Sequence, residues 1–237
     1  MSARLSCVGL SGGWGDLTAF REVDLEIEAG SMHAILGANG AGKTTLLLTL
    51  AGLLPAHAGE IAVDGARLKT GRGTAISRAG VVLVPDNREL FTDLTTEENV
   101  RVAARRGGRD PRLMVDLFPA LEPRWKLRAG ALSGGEQQML AMARALVQRP
   151  KVLMVDELSM GLAPRVVEQL FTAIRRVASE DGCAVLFVEQ FVHLALEVAD
   201  YASVLSRGRV VLSGAAADIA AGSEELERAY LGDLEEV

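Results

Sequence analysis

"GANGAGKTT", Gly37 to Thr45, is the stretch on which the reading of this chain turns. It satisfies the spacing G-x-x-x-x-G-K-[ST] at Gly37, Gly42, Lys43 and Thr44. Glycines so placed let successive backbone N–H groups point inward at phosphate oxygens. Gly37, Ala38, Asn39, Gly40, Ala41 and Gly42 would form that cradle, with Thr45 closing it. Lys43 would reach the outer phosphates, and the Thr44 hydroxyl would ligate Mg²⁺. The motif follows a strand pattern, "MHAIL" (Met32–Leu36), and opens an apolar helix, "LLLTLAGLL" (Leu46–Leu54). The start of that helix adds its own partial positive charge. By average composition, a chance match to the motif in a chain this long is on the order of one in a hundred. An ordinary glycine turn would leave Lys43 buried without an anion, which is costly.

Working outward, three aliphatic runs stand out: "GVVLVPD" (Gly80–Asp86), "KVLMVDE" (Lys151–Glu157) and "AVLFVEQ" (Ala184–Gln190). Each is continuous and ends in polar residues, the pattern of parallel strands buried on both faces with their carboxyl ends open to a ligand. "KVLMVDE" delivers Asp156 and Glu157 to that edge. Adjacent carboxylates repel unless a cation shares the site. Asp156 is therefore placed to hold Mg²⁺, and Glu157 to polarise the water that attacks a terminal phosphate. Shorter segments at Val23–Ile27, Met32–Leu36 and Gly59–Gly65 read as further strands, and "SVLSRGRVVLSG" as a hairpin turning at Arg207–Gly208. Residues 87–143 break this rhythm. Thr95 and Glu98 have capping-box spacing, and a second helix is expected around Leu113–Leu121 between Pro111 and Pro123. The expected fold is α/β, a parallel-sheet core with an N-terminal antiparallel β part and an inserted helical subdomain. The core takes residues 1–86 and 144–237, the insertion 87–143, in one domain.

Composition narrows the classes. The net charge of −6 argues against nucleic acid as a partner. The basic run Arg101–Arg112 reads as a solvated helix end. Two isolated cysteines, Cys7 and Cys183, suit a reducing compartment. No apolar run approaches the roughly 20 residues of a membrane span, so a membrane role would come through a partner.

"ALSGGEQQML" (Ala131–Leu140) poses the harder question. Ser133 and Glu136 match a second capping box, but Gly134 and Gly135 occupy the first turn of the helix. Each glycine there costs about 1 kcal/mol relative to alanine. Bare amides and a serine hydroxyl at a helix start can bind an anion without a lysine, and a γ-phosphate already held on its other side is the natural one. "LSGGEQQ" resembles the signature sequence of ATP-binding cassette ATPases, and it precedes the Asp156–Glu157 pair by about twenty residues, as in that family. The resemblance covers essentially the whole chain. It implies a P-loop NTPase (RecA-like) core and a Mg²⁺-dependent ATPase. Ser133, Gly134, Gly135 and Glu136 of one subunit would close over ATP held by another's phosphate loop. It also implies that Trp14, in "GGWGDL", stacks on adenine. "DELSMGLAP" (Asp156–Pro164), "VEQ" (Val188–Gln190) and "AYLG" (Ala229–Gly232) look like the branched-chain amino-acid importer branch, in particular the smaller of its ATPase subunits. The implied partners are a second cassette subunit, integral membrane permease subunits and, indirectly, a solute-binding protein. The implied place is the cytoplasmic face of the cell membrane.

The chain departs from the family pattern at four positions, one of them Asn87 in place of a glycine that often follows. Asp86 replaces the usual glutamine, and can still ligate Mg²⁺ with a shorter reach. Gln190 stands at the switch histidine, where it can donate a hydrogen bond but cannot become a cation. Leu158 replaces a proline, with no functional account from sequence. Asp86 and Gln190 leave open a regulatory half that binds ATP and hydrolyses it weakly. Urea and short amides stay open as solutes. Cassettes serving translation or DNA repair usually join two cassettes in one chain or contain long coiled coils, and this sequence shows neither feature.

Overall fold

The computed structural model describes residues 3–222 together with 224, 226, 228 and 229. Tyr230–Gly232 of the "AYLG" segment therefore lie outside the described residues. Two sheets organise the chain. The first is antiparallel, in the order β2-β1-β4-β5, from β1 (Ala3–Trp14), β2 (Leu17–Glu28), β4 (Ala56–Val63) and β5 (Ala66–Leu68). The second has the order β10-β9-β3-β8-β7-β6. Its strands are β3 (Met32–Leu36), β6 (Val81–Val84), β7 (Val152–Asp156), β8 (Ala184–Val188), β9 (Tyr201–Ser206) and β10 (Arg209–Ala215). β9, β3, β8, β7 and β6 run parallel, and β10 closes the edge antiparallel to β9.

The three aliphatic runs are the parallel strands their composition requires. Every residue of β3, β7 and β8 is buried, and alternate residues feed different cores. Leu153, Val155, Val185 and Phe187 pack with the helices on one face. Val152, Met154, Leu186 and Val188 pack on the other with the antiparallel sheet and α1 (Lys43–Leu50). Cover on both faces is what permits an unbroken hydrophobic strand. The helical face includes α5 (Gly134–Leu146) and α6 (Pro164–Asp181). α6 starts on Pro164, where the missing N–H costs nothing, and stops at Gly182 in the left-handed conformation.

One sequence expectation is corrected, and one strand is added. The expected helix at Leu113–Leu121 is broken. Only α4 (Met114–Leu117) is α-helical, with single 3₁₀ turns at Pro111–Leu113 and Pro119–Leu121. Pro119 pushes Phe118 to φ −130°, ψ 75°, out of the helical region. β1 went unread because Gly9, Gly12 and Gly13 and several register shifts interrupt its alternation. Between β6 and β7 the chain is helical among the described residues, with α3 (Thr96–Ala103), α4 and α5. The capping boxes at Thr95–Glu98 and Ser133–Glu136 are both formed. The Arg207–Gly208 turn has φ 49° and 81°, as a tight β9–β10 hairpin requires. The basic run is largely paired: Arg101 with Glu97, Arg109 with Asp181, and Arg112 with Glu122.

One buried titratable group marks the centre of the parallel sheet. His33 in β3 shares a hydrogen bond of 2.9 Å with Ser203 Oγ, and its Nδ1 is buried with no partner. Burial pushes this imidazole down from 6.5 to about 4. The unfolded chain therefore binds the proton first, and stability present above pH 6.5 is lost as pH falls toward 4. Between pH 7 and 5 this group alone should remove about 2 kcal/mol. Urea unfolding of His33→Gln at those two pH values should show a correspondingly smaller loss than the parent.

Candidate functional site

Strand register assembles the site. Ile35 of β3 lies beside Val188 of β8, Val188 beside Asp156 of β7, and Val155 of β7 beside Val84 of β6. The residues that follow these strands therefore share one edge: Gly37, Gln190, Glu157 and Asp86. Four adjacent strands span about 14 Å. This is the carboxyl edge of a parallel sheet, where ligands of such folds bind.

The glycine loop joins β3 to α1. Gly37 (φ 150°) and Gly42 (φ 105°) adopt conformations closed to other residues. A Cβ on Gly37 would stand 2.2 Å from the Leu205 carbonyl, and one on Gly42 2.6 Å from the Ala19 carbonyl. The loop is thus wedged between β9 and the β1–β2 hairpin. Lys43, only 5% exposed, folds its ammonium back on the Gly37 and Ala38 carbonyls at 2.8 and 3.0 Å. Burial lowers its pKa, against the opposing pull of Glu157 and Asp156.

Asp156, 3% exposed, is raised in pKa first by burial, then by Glu157 and Asp86; the Thr44 hydroxyl and Lys43 oppose the rise. Its Oδ1 is buried with no partner. Lys43, Thr44, Asp86, Asp156 and Glu157 thus form one electrostatic cluster. Among the described residues, no group of three His, Cys, Asp or Glu side chains is set to hold a metal unaided. One or two carboxylates completed by phosphate oxygens and water is the arrangement Mg²⁺ favours. Asp156 with its orphaned oxygen, and Thr44 beside it, fit that ion.

Trp14 ends β1 and is 58% exposed, on the hairpin that touches the loop at Gly42. Among the described residues the signature residues make no hydrogen bond to the cluster. Ser133 and Gly134 are exposed at the start of α5, and within the described residues nothing accepts from the Gly134 or Gly135 amides. Gly135 also has an internal reason: its Cβ would meet both Val166 methyls at 3.2 Å. Glu136 is occupied internally, taking the Ser133 N–H and hydroxyl on one oxygen and Arg124 Nε on the other.

A strand-edge glycine loop and a buried cation beside carboxylates have the chemistry to receive a phosphate, and comparison with known proteins gives the family. The family model described as ABC transporter matches residues 20–159. The high-affinity branched-chain amino acid transport ATP-binding protein BraG of Pseudomonas aeruginosa is 40% identical, over 92% of this chain and 95% of its own length. The probable branched-chain amino acid transport ATP-binding protein LivF of Archaeoglobus fulgidus is 36% identical, over 96% of this chain and 98% of its own. A solved ATP-binding subunit of an ABC transporter superposes with TM-score 0.83 at 27% identity, covering 96% of this chain and 98% of that one. The chain belongs to the ABC transporter family. It is an ATP-binding subunit of that family and an ATPase.

Within this ABC subunit the structure adds contacts that sequence reasoning missed. Gln190 Nε2 donates to Glu157 Oε1 at 2.7 Å, so the residue at the switch position orients the acidic one. Glu157 itself leaves β7 with φ 48°, a left-handed backbone costing a non-glycine residue about 1–2 kcal/mol. Its N–H is secured by the Val188 carbonyl. Glu189, 1% exposed, accepts from Ser159 N–H at 2.9 Å and Ser159 Oγ at 2.6 Å. It anchors the loop that follows Glu157. A lone acidic residue after an aliphatic run was the available signal, and only the neighbouring loop gave it meaning. Leu158 is 1% exposed and packs in the helical core, which accounts for an apolar residue there.

The Gln190–Glu157 contact carries a test. Gln190→Leu should leave ATP affinity within about twofold and lower kcat by about tenfold or more, because the carboxylate loses its orienting donor. Steady-state ATPase assays beside equilibrium nucleotide binding read the two quantities separately.

Proposed function

We propose that this subunit drives solute import, with branched-chain amino acids the solute and a dimer of cassettes the working unit. The observation that supports the dimer is the signature helix: Ser133 is exposed, and among the described residues no group accepts from the Gly134 or Gly135 amides. An anion must come from outside, and a second cassette's terminal phosphate has the right charge and reach. The solute assignment rests on the names borne by BraG and LivF, which match nearly end to end.

In the proposed cycle, the amides of residues 37–42 with Lys43, Thr44 and Thr45 hold the phosphates, and Lys43 exchanges its two carbonyl partners for phosphate oxygens. Thr44 and Asp156 would hold Mg²⁺, with Asp86 within reach. Bound there, that ion neutralises charge spread over the phosphates. Glu157, steered by Gln190, accepts the proton of the attacking water. Trp14 stacks on the adenine. Ser133, Gly134 and Gly135 of the partner close the γ-phosphate side, with Glu136 keeping their cap in shape. The helical stretch 87–143 carries that motion to permease subunits at the inner face of the membrane, since no helix of the described residues is long and apolar enough to cross one. A solute-binding protein would deliver the solute to them.

Two substitutions test the assignment. Lys43→Ala should weaken nucleotide binding by about 100-fold or more, because charge-assisted contacts to phosphate are lost. Glu157→Gln should keep nucleotide binding, lower turnover about 100-fold or more, and accumulate an ATP-dependent dimer on size-exclusion chromatography. Parental turnover in Glu157→Gln would refute the chemistry.

A further inference from the structure

The signature helix has no lysine, yet the structure brings a cation to its first turn from elsewhere in the chain. Arg88 lies in the loop leaving β6, two residues after Asp86. Its Nε donates to Gln138 Oε1 at 2.7 Å and its Nη1 to Gln137 Oε1 at 3.1 Å, both on α5. The guanidinium ends 3.9 Å from where a Gly134 Cβ would stand. No carboxylate among the described residues pairs with it. Gln138 is 2% exposed, and its Nε2 is buried without a partner, so Arg88 provides that amide's hydrogen bond.

The loop from Asp86 toward α3 has little slack. Arg88 and Glu89 both hold left-handed backbones, at φ 64° and 44°. Asp86 Oδ1 takes the Asn87 N–H at 2.7 Å, and Pro85 O takes the Arg88 N–H at 3.0 Å. Farther along, Arg144 of α5 donates to the Glu89 carbonyl and lies 4.8 Å over the Phe91 ring. Asn99 of α3 brackets Phe91 through both backbone groups. The loop is therefore fastened to the helices at both ends of α5, while Asp86 stays in the electrostatic cluster of Asp156. A shift of Asp86 must either bend two strained residues or carry α5 with it.

We propose that Arg88 is a positioning residue that couples a subunit's own nucleotide site, through Asp86, to the signature helix it presents to its partner's nucleotide. Held by two amides, the tie is directional, so the start of α5 takes its place when the Asp86 loop takes its own. The two ATP sites of a dimer thereby sense one another. This rests on the split-site reading above.

The test uses the complex assembled with its membrane partners. Arg88→Ala should leave ATP affinity of the single subunit within about twofold. The Hill coefficient for ATP should fall to one and turnover about tenfold. Arg88→Lys, which keeps the charge but cannot span two amides, should behave like Arg88→Ala. Gln138→Leu should reproduce the loss, and the double variant Arg88→Ala with Gln138→Leu should be no worse than either alone. Parental cooperativity in Arg88→Ala, recovery by Arg88→Lys, or loss of nucleotide binding by the single subunit would each overturn the proposal. Ser133→Ala serves as the reference arm. If it too leaves turnover intact, the split-site reading has failed. If it abolishes turnover while Arg88→Ala does not, only the coupling has failed.

Discussion

A buried lysine ammonium cannot be left without oxygen atoms, and Lys43 shapes its surroundings accordingly. In the described chain the demand is met by two carbonyls of its own loop, with Asp156 and Glu157 supplying the opposite charge. Those carbonyls are within reach only because Gly37 and Gly42 take backbones that no side chain tolerates, against Leu205 and Ala19. The loop conformation, the seating of the β1–β2 hairpin and the placement of β7's last residues answer to one cation. In the proposed cycle a phosphate would take the place of those carbonyls, because it offers the lysine more charge.

The carboxylate side obeys a complementary constraint. Asp156 is driven toward its neutral form by burial and by its acidic neighbours, and its orphaned oxygen lacks any donor. Such an arrangement is expensive in an interior unless a ligand relieves it. Strain collects at the same place: Glu157, Arg88 and Glu89 all hold positive φ within the reach of this edge. Backbone strain of this kind persists where surrounding contacts over-determine it. Here Val188, Gln190 and the amides of α5 are those contacts.

Much of the architecture was legible because its signals are local. Continuous aliphatic runs mark doubly covered parallel strands, and the glycine-lysine spacing marks the loop. Two capping boxes mark helix starts. Legibility failed where a long-range contact overrode the local pattern. β1 is a strand in spite of three glycines because β2 and β4 pair with it on both sides. The segment before Pro119 looked helical, and the proline's demand on Phe118 cut it short.

The sequence by itself determined the family, and it marked the glycine-lysine loop, the acidic pair and the serine-glycine helix start, since each depends on residue type and spacing along the backbone. Tertiary structure alone decided who touches whom. Gln190 meets Glu157 across 33 residues, Glu189 meets Ser159 across 30, and Arg88 meets Gln138 across 50. The physical reason is that a side chain's partner is chosen by strand register and helix packing. Those are set by burial of the two cores, not by any motif near the residues that meet.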